Sequence, residues 1–147
     1  MPNSTGSQDF PQIKLARIGR DGTFARPALV LNGSVLFPGV ITVTPVDTAE
    51  SREAVETAKL KRETLVVLPQ DEEAETDRPA LPMIAVEASV LRLLRLPDGT
   101  LNALVQGRRR VEVVAYAQEE PYLRVKAQPV DEDQEPTQET KAMMQAV

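Results

Sequence analysis

The stretch from Met83 to Gln118 constrains the fold of this 147-residue chain more than any other. Two long runs rich in Val, Leu and Ile flank Pro97-Asp98-Gly99. Proline presets φ at about −65° and glycine tolerates positive φ, so the chain must reverse there and its flanks must pair as a β-hairpin. Strand alternation puts Ile84, Val86, Ala88, Val90, Leu94 and Leu96 on one face, with Arg92 the only charge among them. On the return, Leu101, Ala103 and Val105 alternate against Thr100, Asn102, Leu104 and Gln106. Gly107 breaks that alternation, as a bulge or bend does, and Val111, Val113 and Ala115 resume an inward face.

The remaining elements follow from punctuation and periodicity. Ala28-Leu29-Val30-Leu31 is a short apolar strand closed by Asn32-Gly33-Ser34, and a second turn at Pro38-Gly39 leaves Leu36 and Phe37 bracketed between two reversals. Ile41-Thr42-Val43-Thr44-Pro45-Val46 alternates apolar with polar, and Pro45, lacking a donor, marks an edge or a strand end exposed on one side. Asp47 as cap and Glu50 in the capping-box position start a helix expected to run from Ala49 to Glu63, with Ala54, Val55, Ala58 and Leu60 inward. Thr64 to Pro69 is an unbroken apolar run and reads as a central strand buried on both faces. Gln70 to Pro82 is an acidic loop interrupted by prolines, and Leu123, Val125 and Ala127 mark a last strand after the turn at Glu119-Glu120-Pro121. Strands, one helix, then a meander of strands give an α+β, mostly β domain with a curved antiparallel sheet or partly closed barrel.

Composition excludes much chemistry. The chain has no Cys and no His, which removes disulfides, thiol nucleophiles, the usual zinc ligands and the commonest general base. The acidic run from Asp71 to Asp77 matches no EF-hand spacing, and no metal site is assigned. A net charge of −5 opposes nucleic-acid binding through bulk electrostatics. No apolar run is long enough for a membrane span and no signal-peptide core is evident, so the expected compartment is the cytoplasm. Met1 to Arg26 reads as a flexible leader whose Phe10, Ile13, Leu15 and Ile18 could add a short edge strand; residues 27–130 form the domain. Residues 131–147 form an acidic linker and the start of a helix with no C-cap, which suggests a chain that continues.

Taken in order, Pro27 to Leu31, Val35 to Val40, the helix after Asp47, Val66 to Asp71, Leu93 to Thr100, Val105 to Arg110 and Pro121-Tyr122-Leu123 resemble the N-terminal domain of the ATP-dependent Lon proteases. The resemblance implies a PUA-like β-domain with one principal helix, joined in a longer chain to an AAA+ ATPase module and a Ser-Lys protease module that use ATP and magnesium. It further implies unfolded or damaged proteins as substrates and a homo-hexameric assembly. Neither module is expected in these residues: there is no Gly-x-x-x-x-Gly-Lys-Ser/Thr loop and no serine in a recognisable nucleophile context, so no catalytic or cofactor-binding residue is assigned.

Capture of unfolded chains requires exposed apolar surface, because unburied hydrophobic side chains are what distinguishes such a substrate. The candidates are Leu36, Phe37 and Pro38 between the two turns, and Leu94, Leu96 and Pro97 at the hairpin. Each has a structural alternative: Phe37 as an anchor of its loop, Leu94 and Leu96 as inward residues of the sheet. Arg108-Arg109-Arg110 is the one basic cluster, readable as an RNA contact or as surface pairing with Glu112, Glu119 or the acidic loop. Three functions are therefore compared: the substrate-recognition and assembly domain of a Lon-type protease, a stand-alone protein-binding module of the same fold, and an RNA-binding PUA-like domain. Scarcity of stacking aromatics and the acidic charge disfavour the third.

Overall fold

The computed structural model describes residues 13–76 and 78–130. Its elements are β1 (Phe24–Asn32), β2 (Ile41–Pro45), α1 (Ala49–Lys61), β3 (Leu65–Gln70), β4 (Met83–Arg95), β5 (Leu101–Gln118) and β6 (Arg124–Pro129). The strands form one sheet in the order β2-β5-β4-β3-β1-β6, and a further β5–β6 pairing closes β5, β4, β3, β1 and β6 into a ring. β5 makes this closure possible by its length: its first half pairs with β2 and its second half with β6, while β4 runs along its other side. The mostly β, partly closed fold with one helix is the expected one. One pairing departs from antiparallel: β1 and β3 run parallel, because the α1 crossover between them returns the chain in the same direction.

The sheet is buried on both sides along its centre, which divides the core in two. One cluster packs Val55 and Ala58 of α1 with Leu29, Leu36, Leu65, Val67, Val86, Ala88, Val90 and Val105. The other fills the ring with Phe24, Ala28, Val66, Leu68, Ala85, Val111, Val113, Val125 and Ala127. β3 contributes to both clusters through alternate residues, which is why its sequence is an unbroken apolar run.

Details at α1 differ from the sequence expectation. The N-cap is Thr48, not Asp47: the Thr48 hydroxyl accepts from the Ser51 N–H at 3.0 Å, and the Ser51 hydroxyl accepts from the Thr48 N–H at 3.2 Å. Glu50 is thereby released to pair with Arg78 at 2.9 Å. The helix ends at Lys61 with Arg62 in the left-handed region, φ 57°, so Leu60 lies outside the buried stripe of Ala54, Val55 and Ala58 and is exposed. Tyr116 donates its hydroxyl to the Pro79 carbonyl, and burial pushes its ionisation above the ordinary tyrosine range.

The second half of the expected leader packs on the domain. β1 begins at Phe24, and Ile13 and Ala16 are buried. The main chain at Lys14 forms a single parallel bridge with Glu63. Phe10 and the expected linker and helix start at 131–147 lie outside the described residues. Among the described residues no helix is long and apolar enough to cross a membrane.

Candidate functional site

Asp-Gly-Thr occurs twice in the chain, and both copies make the same turn. In Leu96 to Thr100, the Gly99 N–H donates to the Leu96 carbonyl at 2.9 Å and the Leu96 N–H to the Thr100 carbonyl at 2.9 Å. Gly99 takes φ +90° to complete the loop, and Asp98 Oδ1 accepts from both the N–H (3.0 Å) and the hydroxyl (2.7 Å) of Thr100. These hydrogen bonds hold the Asp98 carboxyl below its ordinary range. The tip is therefore rigid, and it presents Leu96, 43% exposed, and Pro97 to solvent.

Leu94 reaches the surface through a bulge that strict alternation does not anticipate. Val90 pairs with Val105 but Arg92 with Leu104, so Leu91 is an extra residue and the faces exchange beyond it. Leu93 turns to the core beside the α1-side cluster, while Leu94 joins Arg92 on the outer face, half-buried. The expected common face of Val90 and Leu94 is thus corrected: the two point to opposite sides of the sheet.

The Phe37 loop divides its residues cleanly. Leu36 is 3% exposed and belongs to the core, so it is the anchor; Phe37 is 53% exposed and Pro38 half-buried. The Val40 N–H donates to the Phe37 carbonyl at 3.1 Å across Pro38-Gly39, which closes the turn. Gly107 receives this loop: its N–H donates to the Val40 carbonyl at 2.9 Å and its carbonyl accepts from the Gly39 N–H at 2.8 Å. A Cβ at position 107 would lie 2.3 Å from the Phe37 carbonyl oxygen, a distance no real side chain tolerates. The glycine is therefore both the neighbour of a bulge, at Arg108, and the seat of the loop that carries Phe37.

Between these two ends lies β2, whose polarity is inverted. The ordinary rule would bury Ile41 and Val43 and expose the threonines. Instead Thr44 is 2% exposed, while Ile41 is 48% and Val43 54% exposed. Cross-strand pairing aligns Val43 with Leu104 and Arg92, and Pro45 with Asn102 and Leu94, on this outer face. The apolar side chains of this face are therefore Ile41, Val43, Leu104, Leu94 and Leu96, interspersed with Arg92, Asn102 and Gln106, while Phe37 and Val40 are exposed on the loop that leads into β2. The two groups of candidate residues lie about 20 Å apart along β5 and do not touch; β2 joins them. Ile41, Val43 and Leu104 were missed from sequence because alternation shows that two faces differ but not which one meets water.

The arginines take a different role from either one expected. Arg109 Nε donates to Glu87 Oε1 at 2.6 Å, and Glu87 is completely buried. Glu87 Oε2 accepts from the Thr64 hydroxyl at 2.6 Å and the Ala16 N–H at 2.7 Å. Arg109 Nη2 also reaches the Ala16 carbonyl at 3.1 Å, with its guanidinium 5.6 Å from the centre of the Phe24 ring. Arg108 donates to the Ile13 carbonyl and the Ser89 hydroxyl, both at 2.7 Å. The partners of Arg108 and Arg109 are thus Glu87, Ser89 and the chain at 13–16, not Glu112, Glu119 or the acidic loop, because the bulge at Arg108 rotates both side chains toward the same end of the ring. Among the described residues no group of Asp and Glu could hold a metal ion.

Residues 25–147 match the family described as the ATP-dependent protease La (LON) substrate-binding domain. The chain belongs to this LON family. It is 36% identical over 127 residues to Lon protease 2 of Herpetosiphon aurantiacus, covering 85% of this chain and 16% of that protein. Identity to the Lon protease of Chloroherpeton thalassium is 38% over 113 residues, covering 75% of this chain and 13% of the relative. The chain therefore spans only 13–16% of the length of these relatives. Among solved structures, the N-terminal domain of Mycobacterium avium complex Lon protease aligns with a TM-score of 0.63 at 26% identity, covering 84% of this chain and 63% of that one. The Lon N-terminal domain protein from Xanthomonas campestris shares the fold, with a TM-score of 0.60 at 20% identity over 74% of this chain and 60% of the other.

Proposed function

We propose that this LON domain holds unfolded or damaged polypeptide for an ATP-dependent Lon-type protease, and that it does so through the exposed apolar side chains from Phe37 to Leu96. The observation that carries this reading is the inverted strand: β2 turns Ile41 and Val43 to solvent and buries Thr44. Exposed apolar side chains at these positions are costly in water unless something binds them, and their weak, unspecific contacts suit a ligand defined only by unburied hydrophobic side chains. Leu94, Leu96, Pro97, Phe37 and Pro38 contribute contact area on this reading; Leu36 supports the loop from below.

The chemistry of degradation would lie elsewhere in a longer protein. ATP and magnesium would act in an AAA+ module and peptide cleavage in a Ser-Lys module, in a cytoplasmic homo-hexamer to whose assembly this domain contributes. Use of the same fold as a stand-alone binding module remains the alternative. RNA recognition is not favoured, because Arg108 and Arg109 are engaged with Ile13, Ala16, Ser89 and Glu87.

Replacing Phe37 and Val43 together by serine tests the proposal. Affinity for a carboxymethylated, permanently unfolded protein should fall about tenfold, with an unchanged thermal melt, since exposed positions carry little folding energy. Unchanged affinity in the folded variant would rule these residues out as a binding surface; loss of the fold would show them to be structural instead.

A further inference from the structure

The outer face of β2 describes side chains; its open edge describes the main chain, and the two coincide. The Val46 N–H donates to the Leu101 carbonyl at 2.9 Å and the Gly107 N–H to the Val40 carbonyl at 2.9 Å. Alternation between these two bonds directs the peptide groups of Thr42 and Thr44 into β5. The groups of Ile41 and Val43, and the carbonyl of Pro45, point the other way, where among the described residues no strand follows in the sheet. The residues that expose apolar side chains are therefore the same ones that offer unpaired donors and acceptors.

Edges of this kind are protected by charge, by proline or by shortness, and here Pro45, which lacks an N–H, closes one end of a five-residue strand. β2, with the sequence Ile-Thr-Val-Thr-Pro, carries no charged residue. Its edge borders a groove of about 350 Å³ with Val43 and Pro45 on the near side, Asn32, Ser34 and Val35 on the far side and Asp47 at its end. An adjoining hollow shares Ser34 and Val35 and adds Asp71 and Glu72. Among the described residues no Lys or Arg lines either hollow.

We infer that β2 is a β-addition site: an extended polypeptide segment, apolar and flanked by lysine or arginine, pairs with its open edge as an extra strand. The main-chain bonds recognise any sequence that can extend, which fits a ligand without a fixed motif. The acidic groove ends select for basic flanks by charge complementarity. This deepens the proposed function and rests on it, specifying how the segment is held.

The decisive probe is a fluorescent peptide of about nine residues, alternating Val and Thr with Lys at both ends, bound to the 147-residue chain. N-methylation of successive peptide nitrogens should weaken binding about tenfold at every second position and leave the intervening ones unchanged, since only alternate N–H groups face β2. Val43→Pro, which deletes one outward N–H and spares the β5 ladder, should weaken binding similarly. Glu in place of the flanking Lys should weaken it further. Binding with no alternation along the peptide would overturn strand addition while leaving side-chain capture intact. Failure to bind both this peptide and the unfolded protein would overturn the proposed function with it. A dimer in sedimentation equilibrium that Val43→Pro converts to monomer would assign the edge to a second copy of the chain and overturn the inference. If Val43→Pro does not fold, the N-methyl series alone decides.

Discussion

At the scale of single residues, local hydrogen bonds explain two turns and the acidity of the aspartate in each. Asp21-Gly22-Thr23 repeats the geometry of Asp98-Gly99-Thr100: Asp21 Oδ1 accepts from the Thr23 N–H at 3.0 Å and its hydroxyl at 2.8 Å, and Gly22 has φ +85°. The Thr23 hydroxyl and then its N–H, with help from Lys126 at 3.2 Å, hold the Asp21 carboxyl down to about 2 from the ordinary 3.8. A depressed folded-state value means that the contribution to stability is complete above pH 3.8 and disappears as pH falls through about 2. Thr23→Val should move the Asp21 titration, followed by carboxyl-carbon NMR, back toward 3.8. A titration that stays near 2 in the variant would show that the residue-23 N–H and Lys126, not the threonine hydroxyl, set it. The motif lies in the segment expected to be a leader and was missed there, although the same three residues that mark the hairpin mark an ordered turn here.

At the scale of elements, the swap at the start of α1 has a measurable consequence. Asp47 and Thr48 are both acceptable caps by residue type, and only the φ and ψ of the chain entering from β2 decide between them. Thr48→Ala should cost about 1 kcal/mol in urea unfolding, whereas Asp47→Ala should cost about 0.5 kcal/mol or less. The reverse order would restore the sequence-based assignment. β4 shows the same limit on a larger scale. Its hydrophobic residues identify a strand, but the inserted Leu91 exchanges the faces beyond it, and the exchange is set by pairing with β5. Leu94 could not be placed until its partner was known.

At the scale of the whole molecule, the buried Glu87 ties three separate segments together. It accepts from Ala16 of the N-terminal segment, Thr64 ahead of β3 and Arg109 of β5. Glu87→Ala would leave the part-buried Arg109 guanidinium, the Thr64 hydroxyl and the Ala16 N–H without this partner, and should cost about 3 kcal/mol. Truncation of the chain before Arg17 removes the Ala16 N–H and the Ile13 carbonyl and should cost about 1–3 kcal/mol. Combined, the two changes should cost less than their sum by about 0.5–3 kcal/mol, because they remove one shared network. Urea unfolding of the single and double variants measures this coupling. Strict additivity would mean that the N-terminal segment is held independently of Glu87.

Sequence alone determined what is encoded locally: the Pro97-Asp98-Gly99 reversal, the central apolar strand at 65–70, the small-residue stripe of Ala54, Val55 and Ala58, and the order of motifs that matches the LON family. These depend on φ preferences and on periodicity, which each residue carries wherever it sits. Tertiary structure decided which face of β2 meets water, where the bulges at Leu91 and Arg108 fall, and that Gly107 seats the Phe37 loop. It also decided that Glu87 and two arginines close one end of the ring instead of lying on the surface. The reason is that burial and register belong to pairs of segments. An alternating strand such as Ile41 to Pro45 reads the same in either orientation, and only its neighbours β5 and the Phe37 loop determine that its apolar face remains open.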